Sequence, residues 1–154
     1  MQVTRQIEKA LSRYLTSNNR RKPMLSTIQF LEGRSSETKK SPRCEVHCLE
    51  ATYADGMPAG TGEYSAALAI MIYSSADEGR HRIHDKMAKG ISDALCDQER
   101  VLTALNPPDE GPDLRAVKEI VFHELVPSGI QESTEDRQWL TTLVFEAQVF
   151  SELS

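Results

Sequence analysis

The sequence predicts an α+β fold, with an antiparallel or mixed β-sheet of about four to five strands packed by an N-terminal helix and a central helix. Apolar residues recur at helical spacing near the N-terminus and again after position 80. Most of the remaining chain consists of alternating or fully apolar runs separated by turn-forming residues. Short connections between strands favour antiparallel pairing, with the helices on one side of the sheet.

The composition indicates one soluble domain spanning residues 1–154, because a chain of this length buries a core without disulfides or metal. The net charge of -5 argues against a surface built to hold nucleic acid, although a local basic patch is compatible with it. Three cysteines and an N-terminus without an export signal point to a reducing compartment. The longest apolar run, Ala66–Tyr73, is far shorter than the ~20 residues of a membrane helix, so no membrane association is expected.

The first element is predicted to be an amphipathic helix that ends before Pro23. Its apolar stripe consists of Val3, Ile7, Leu11 and Leu15, widened by Ala10 and Tyr14. The charged residues on its other faces are Arg5, Glu8, Lys9 and Arg13. We expect the stripe to pack on the chain's own sheet rather than on a partner.

A strand is predicted over Met24–Leu31, and the polar segment Glu32–Pro42 that follows is predicted to be an exposed loop. Two interpretations of this loop are open. It is either the solvated tip of a hairpin, or an interaction loop in which Arg34, Lys39 and Lys40 meet an acidic surface.

The next segment alternates Cys44, Val46 and Cys48 with polar residues, as a half-buried strand should. Residues four apart on a strand are separated by ~13 Å, which is too far for Cys44 and Cys48 to share one zinc ion. We therefore predict buried free thiols, no metal site and no cofactor.

The run Tyr64–Ser74 is predicted to be a central strand because both of its faces are apolar. One face consists of Ala67, Ala69, Met71 and Tyr73, and the other of Ala66, Leu68, Ile70 and Ile72. Either both faces are covered within the monomer, or a neighbouring subunit covers one of them.

Ser75–Glu78 fits a capping box for the central helix, and Asp97 fits the cap of a short second helix that ends at Asn106-Pro107-Pro108. The inward residues of the central helix are predicted to be Ile83, Met87, Ile91, Ala94 and Leu95, and those of the short helix Val101, Leu102 and Leu105.

Two further strands complete the prediction. Val117–Val126 is β-rich and is predicted to end at Pro127–Gly129, and a long terminal strand covers Trp139–Val149. The acidic residues between them, Glu132, Glu135 and Asp136, are assigned to a solvated loop.

No catalytic constellation is evident in the sequence. His81, His84 and Asp85 form an H-x-x-H-D cluster that lacks the histidine spacing of a metalloprotease, so a solvated polar face is expected. A nucleophile elbow, a phosphate-binding glycine loop and a paired-carboxylate signature are missing. We therefore assign no catalytic residue and predict that the protein is not an enzyme.

Several segments together resemble the tail terminator and related tail-completion (neck) proteins of long-tailed bacteriophages. The segments are Gly62-Glu63-Tyr64 entering a strand that ends in Tyr73–Asp77, the helix end Ser92–Leu95, Glu135–Trp139 before the last strand, and the N-terminal helix IEKALSRYL. The long Glu32–Pro42 loop and the cysteine-containing strand depart from the simplest members of that family.

The resemblance implies a virion protein that forms a homo-oligomeric ring, typically hexameric, on the head-proximal end of the tail tube. Its partners would be the tail tube protein and a head-side connector, with assembly in the host cytoplasm. DNA would be cargo passing through the lumen, and a net negative charge would help it pass without sticking. Two alternatives stay open: a small soluble adaptor or binding domain without catalysis, and an enzyme with an unrecognised site.

Overall fold

The computed structural model describes residues 2–21, 28–54, 62–76, 81–106 and 120–151. It confirms the α+β fold, with a mixed five-stranded sheet, an N-terminal helix and a central helix. The elements are α1 (Val3–Arg21), β1 (Gln29–Glu32), β2 (Arg43–Tyr53), β3 (Glu63–Ser75), α2 (His81–Cys96), α3 (Gln98–Leu105), β4 (Ile120–Glu135) and β5 (Gln138–Ser151). The first part of the predicted Met24–Leu31 strand, the Glu78 side of the capping box, Pro107-Pro108 and the predicted strand start at Val117 lie outside the described residues.

The strand order is β1-β2-β3-β5-β4, so β3 is the central strand, as predicted. β1 runs parallel to β2, and the other pairs are antiparallel. The segment 33–42 is therefore a crossover between parallel strands, and its interpretation as a hairpin tip was wrong. Glu32, assigned to the loop from the sequence, is the last residue of β1 and pairs with Val46.

All described helices contribute to one core on one face of the sheet. Ile7, Leu11 and Leu15 of α1 are fully buried there, which confirms the predicted apolar stripe. The alternate residues Ala66, Leu68, Ile70 and Ile72 of β3 face this core, and Leu143, Phe145, Ala147 and Val149 of β5 lie beside them.

The inward face of α2 differs from the prediction at its first turn. Met87, Ile91 and Leu95 are buried, but Ile83 is 44% exposed and His84 is buried in its place. Position 84 lies three residues before Met87 and faces the sheet, because side chains three and four apart share one side of a helix. α3 is as predicted, with Asp97 accepting a hydrogen bond from the Arg100 backbone N–H and Val101 buried.

The most extensive correction concerns β4. Pro127–Gly129 does not end the strand but forms a bulge within it, and Glu132 and Glu135 belong to β4 rather than to a loop. Proline is tolerated because β4 is an edge strand, where one row of backbone groups is unpaired with another strand. A two-residue turn at Asp136-Arg137 joins β4 directly to β5.

Candidate functional site

The face of the sheet opposite the helices has no helix packed on it within the described residues, and we call it the open face. Its centre is mainly apolar, with the Arg43 guanidinium 3.9 Å from the centroid of the Tyr73 ring and Thr142 beside Met71; the apolar residues are Ala67, Ala69, Met71 and Tyr73 of β3 and Leu140 and Val144 of β5. These residues alternate with the core residues and lie outside the core cluster. Met71, Tyr73, Ala67 and Val144 are all partly exposed. The sequence left open whether the monomer covers both faces of β3; the helices cover only one.

Three exposed carboxylates, Glu124, Glu135 and Glu146, border the open face on its β4 side, and we call them the acidic rim. Glu146 lies between Ala67 of β3 and Val126 of β4, and Val126 is 39% exposed. None of the three carboxylates forms an ion pair with any of the described residues. An apolar centre with an unpaired charged border is typical of a surface that another protein covers.

A buried carboxylate lies on the β2 side of the same face. Arg43 Nε donates to Glu45 Oε2 at 2.7 Å, His47 Nε2 donates to Glu45 Oε1 at 3.0 Å, and Lys39 Nζ lies 3.6 Å from Oε1. Burial raises the pKa of Glu45, but the bonds from Arg43 and His47 and the attraction of Lys39 outweigh it, so the pKa falls below its ordinary value of 4.5. This carboxylate has its hydrogen-bond partners within the chain and stays ionised at neutral pH.

The three residues of the predicted interaction loop do not converge on one site. Arg34 Nη1 donates to Gln2 Oε1 at 2.9 Å beside α1, whereas Lys39 turns toward Glu45 on the open face. The Lys40 backbone N–H donates to Gln29 Oε1 at 2.8 Å, and its side chain is exposed. The loop therefore contacts both the helix side and the open face of the sheet, and its binding to an acidic partner stays a prediction.

The outward side of α1 carries a row of cations, which the sequence-based prediction did not recognise as a surface. Four residues, the basic stripe, fall within about a quarter of the helix circumference: Arg5, Lys9, Arg13 and Arg20. The acidic residue of α1, Glu8, is buried, and its Oε2 accepts a hydrogen bond from the Cys48 backbone N–H at 2.9 Å. No ion pair to the stripe occurs within the described part of the chain. The row of cations is visible in the sequence. The burial of Glu8 adds that the acidic residue of α1 does not share the exposed side of the helix with them.

The histidine cluster at the start of α2 is partly internal, which corrects the expectation of a solvated polar face. His84 is 4% exposed, with Nδ1 2.6 Å from Ser74 Oγ and Nε2 2.8 Å from Thr141 Oγ1. Burial lowers the pKa of His84 below 6.5, against the opposing influence of Asp85 and Glu132. Both ring nitrogens are used by hydroxyl groups, and Ser74 is buried. The arrangement holds α2 against β3 and β5 and leaves no free base beside an accessible nucleophile.

Cys44 and Cys48 are buried free thiols on β2, as predicted, and Cys96 is exposed. Burial raises the pKa of Cys44 far above its ordinary range and raises the pKa of Cys48 to about 12, so both thiols stay protonated. Within the described ranges, no group of three or more His, Cys, Asp or Glu side chains is placed to hold a metal ion. None of the described helices is long and apolar enough to cross a membrane.

No protein-family model matches the chain, and no curated protein matches it. Comparison with solved structures finds a similar fold in a chain of a structure described as "Virion of native gene transfer agent (GTA) particle". The TM-score is 0.58 and the identity 14%, and the match covers 94% of this chain and 94% of that chain. At this level of identity, the likeness establishes a shared fold along nearly the whole of both chains.

Proposed function

We propose that the chain is a structural protein of a phage-type virion: a tail terminator or tail-completion subunit that caps the head-proximal end of the tail tube and joins it to a head-side connector. The observation that carries the proposal is the fold shared with a chain of the gene transfer agent virion over 94% of both chains. The segments quoted from the sequence point to the same class of protein.

In this proposal residues 1–154 form one non-enzymatic domain that acts through protein–protein contacts. The open face and the basic stripe supply two separate surfaces for such contacts, as a ring subunit needs. Assembly would take place in the host cytoplasm, with DNA passing the lumen only as cargo. The loop residues Arg34, Lys39 and Lys40 would meet an acidic surface of the tube or of the connector.

Light scattering across a protein concentration series, with and without tail tubes built from the tube protein of the same particle, tests the proposal. The expected result is a discrete species near six subunits, or a monomer that becomes one when tubes are added. A protein that stays monomeric and does not associate with tubes at any concentration would overturn the proposal. It would favour a small adaptor domain instead.

A further inference from the structure

We propose that the basic stripe of one subunit docks on the acid-rimmed open face of a second copy of this chain. This inference rests on the proposed function and deepens it, because it names the surfaces through which subunits join. Both surfaces carry charges, of opposite sign, that form no ion pair among the described residues, and both belong to the same chain.

The two surfaces lie on opposite sides of the subunit. The stripe is the outer side of α1, which packs through Ile7, Leu11 and Leu15 on the helix-covered face of the sheet. The open face is the other side of that sheet. A contact between them is therefore head-to-tail, and successive copies either close into a ring or continue as a filament, depending on the rotation between neighbours.

The dimensions of the two surfaces agree. From Arg5 to Arg20 the stripe is about 22 Å long at 1.5 Å per residue. From Leu140 to Gln148 the open face of β5 is about 27 Å long at ~3.4 Å per residue. A helix laid along the face would place its arginine stems over the apolar centre and its guanidinium groups at the rim.

The charge distribution favours a second copy over other partners. The chain has a net charge of -5, which opposes nucleic acid approaching the whole molecule, while the acidic rim offers carboxylates to the stripe. Glu45, on the same face, is already paired with Arg43 and does not compete for the stripe. The exposed side of α2 carries both signs, in Arg82, Asp85, Lys86 and Lys89, and is a poorer match for the rim.

The test uses charge reversal on each surface. Arg5→Glu, Lys9→Glu and Arg13→Glu together leave Arg20 as the remaining cation of the stripe and so invert its charge, and Glu124→Lys with Glu146→Lys inverts the rim. We expect each of these variants to self-associate at least about a hundredfold more weakly in sedimentation velocity, because like charges then face one another. An equimolar mixture of the two variants should regain assembly, because the inverted stripe fits the inverted rim.

The matched control is Lys86→Glu with Lys89→Glu, which reverses two exposed charges of α2 and should leave assembly unchanged. Circular dichroism and thermal unfolding of every variant establish that the fold is intact. Wild-type association should also weaken between ~0.1 M and ~1 M salt, since the Debye length falls from about 10 Å to about 3 Å.

The outcomes separate this inference from the proposed function. If both charge-reversed variants still form oligomers that cap tails, the inference is overturned and the proposed function stands. Charge-sensitive assembly with rescue by mixing, but without binding to tail tubes, would support the inference and count against the tail role. If only the rim variant loses self-association, and mixing does not restore it, the open face is the interface of a symmetric sheet-on-sheet dimer and the inference is overturned. Duplex DNA binding that only the stripe variant loses, with oligomers unaffected, would overturn it as well.

Discussion

At the scale of single residues, buried polar groups on the helices complete the hydrogen bonding of the sheet. Glu8 of α1 accepts the Cys48 backbone N–H at the place where a register shift interrupts the pairing of β2 with β3. His84 of α2 bridges Ser74 of β3 and Thr141 of β5. Each contact fixes where its helix lies on the sheet, because a buried polar group without a partner is costly.

We expect Glu8→Ala to lower the free energy of unfolding by about 1.5–3 kcal/mol, because the Cys48 N–H would be left buried without its acceptor. Glu8→Gln retains an acceptor oxygen and should cost less. Urea denaturation measures both, and Lys9→Ala, at the neighbouring position, is the control. A Glu8→Ala variant as stable as Lys9→Ala would contradict the assignment.

His84 should make stability depend on pH in the mildly acidic range. Its pKa is lowered by burial in the folded state, so the unfolded chain binds more protons as the pH falls below about 6.5. The contribution of His84 is therefore fully present above pH 6.5 and is lost as the pH falls through the folded-state pKa. Unfolding free energies from about pH 7.5 to about pH 5 should show wild type losing its advantage over His84→Gln. Glu45 affects stability in a separate, more acidic range, because its folded-state pKa lies below 4.5. Its contribution is fully present above pH 4.5 and is lost as the pH falls through the folded-state pKa. A constant difference between the two proteins across the range would refute the role of His84.

At the scale of elements, the β4–β5 hairpin sets the shape of the acidic side. The two-residue turn places Asp136 and Arg137 at φ values of 48° and 62°, which fits a type I′ turn and the twist of the strands. The turn is anchored to the end of β3, because the Ala76 N–H donates to the Arg137 carbonyl at 2.9 Å. The hairpin therefore holds Glu135 beside the open face.

Arg137→Gly should stabilise the hairpin by up to ~1 kcal/mol, because a left-handed backbone costs an L-residue about 1–2 kcal/mol and costs glycine almost nothing. Thermal unfolding measures the change as a rise in Tm. Gln131→Gly, at an exposed position inside β4, is the control and should lower stability by about 0.5–1 kcal/mol. A fall in Tm for Arg137→Gly would rule out this explanation of the turn.

At the scale of the whole molecule, the described helices all lie on one side of the sheet, and on the other side the segment 33–42 places Lys39 against Glu45. Adjacent residues of β5 point to these two environments. Leu143 is buried in the core, and Val144 is partly exposed on the open face. The same side-chain change at the two positions therefore separates folding from assembly.

Leu143→Lys should unfold the protein or destabilise it by several kcal/mol, because it places an unpaired charge in the core. Val144→Lys should change the unfolding free energy by less than about 1 kcal/mol, yet abolish self-association, since it puts a cation where the basic stripe would dock. Circular dichroism melts and sedimentation velocity measure the two effects. Normal assembly by a folded Val144→Lys protein would show that the open face is not an interface.

Elements whose pattern is local could be predicted from the sequence alone. The apolar stripe of α1, the capped helix α3, the strand β3 with its two apolar faces and the buried thiols of β2 follow from periodicities of 3.6 and 2, because side-chain direction within one element needs no information from elsewhere. Which elements become neighbours depends on long-range packing and was visible only in the folded chain. Long-range packing made β1 parallel to β2, placed Pro127 on an edge where it does not end the strand, and turned His84 inward in place of Ile83. The candidate site also depends on tertiary structure. The loop lysines were visible in the sequence, but the open face exists because the helices all pack on the other side of the sheet. The basic stripe is left without its acidic neighbour because the Glu8 carboxylate is buried against the Cys48 backbone N–H.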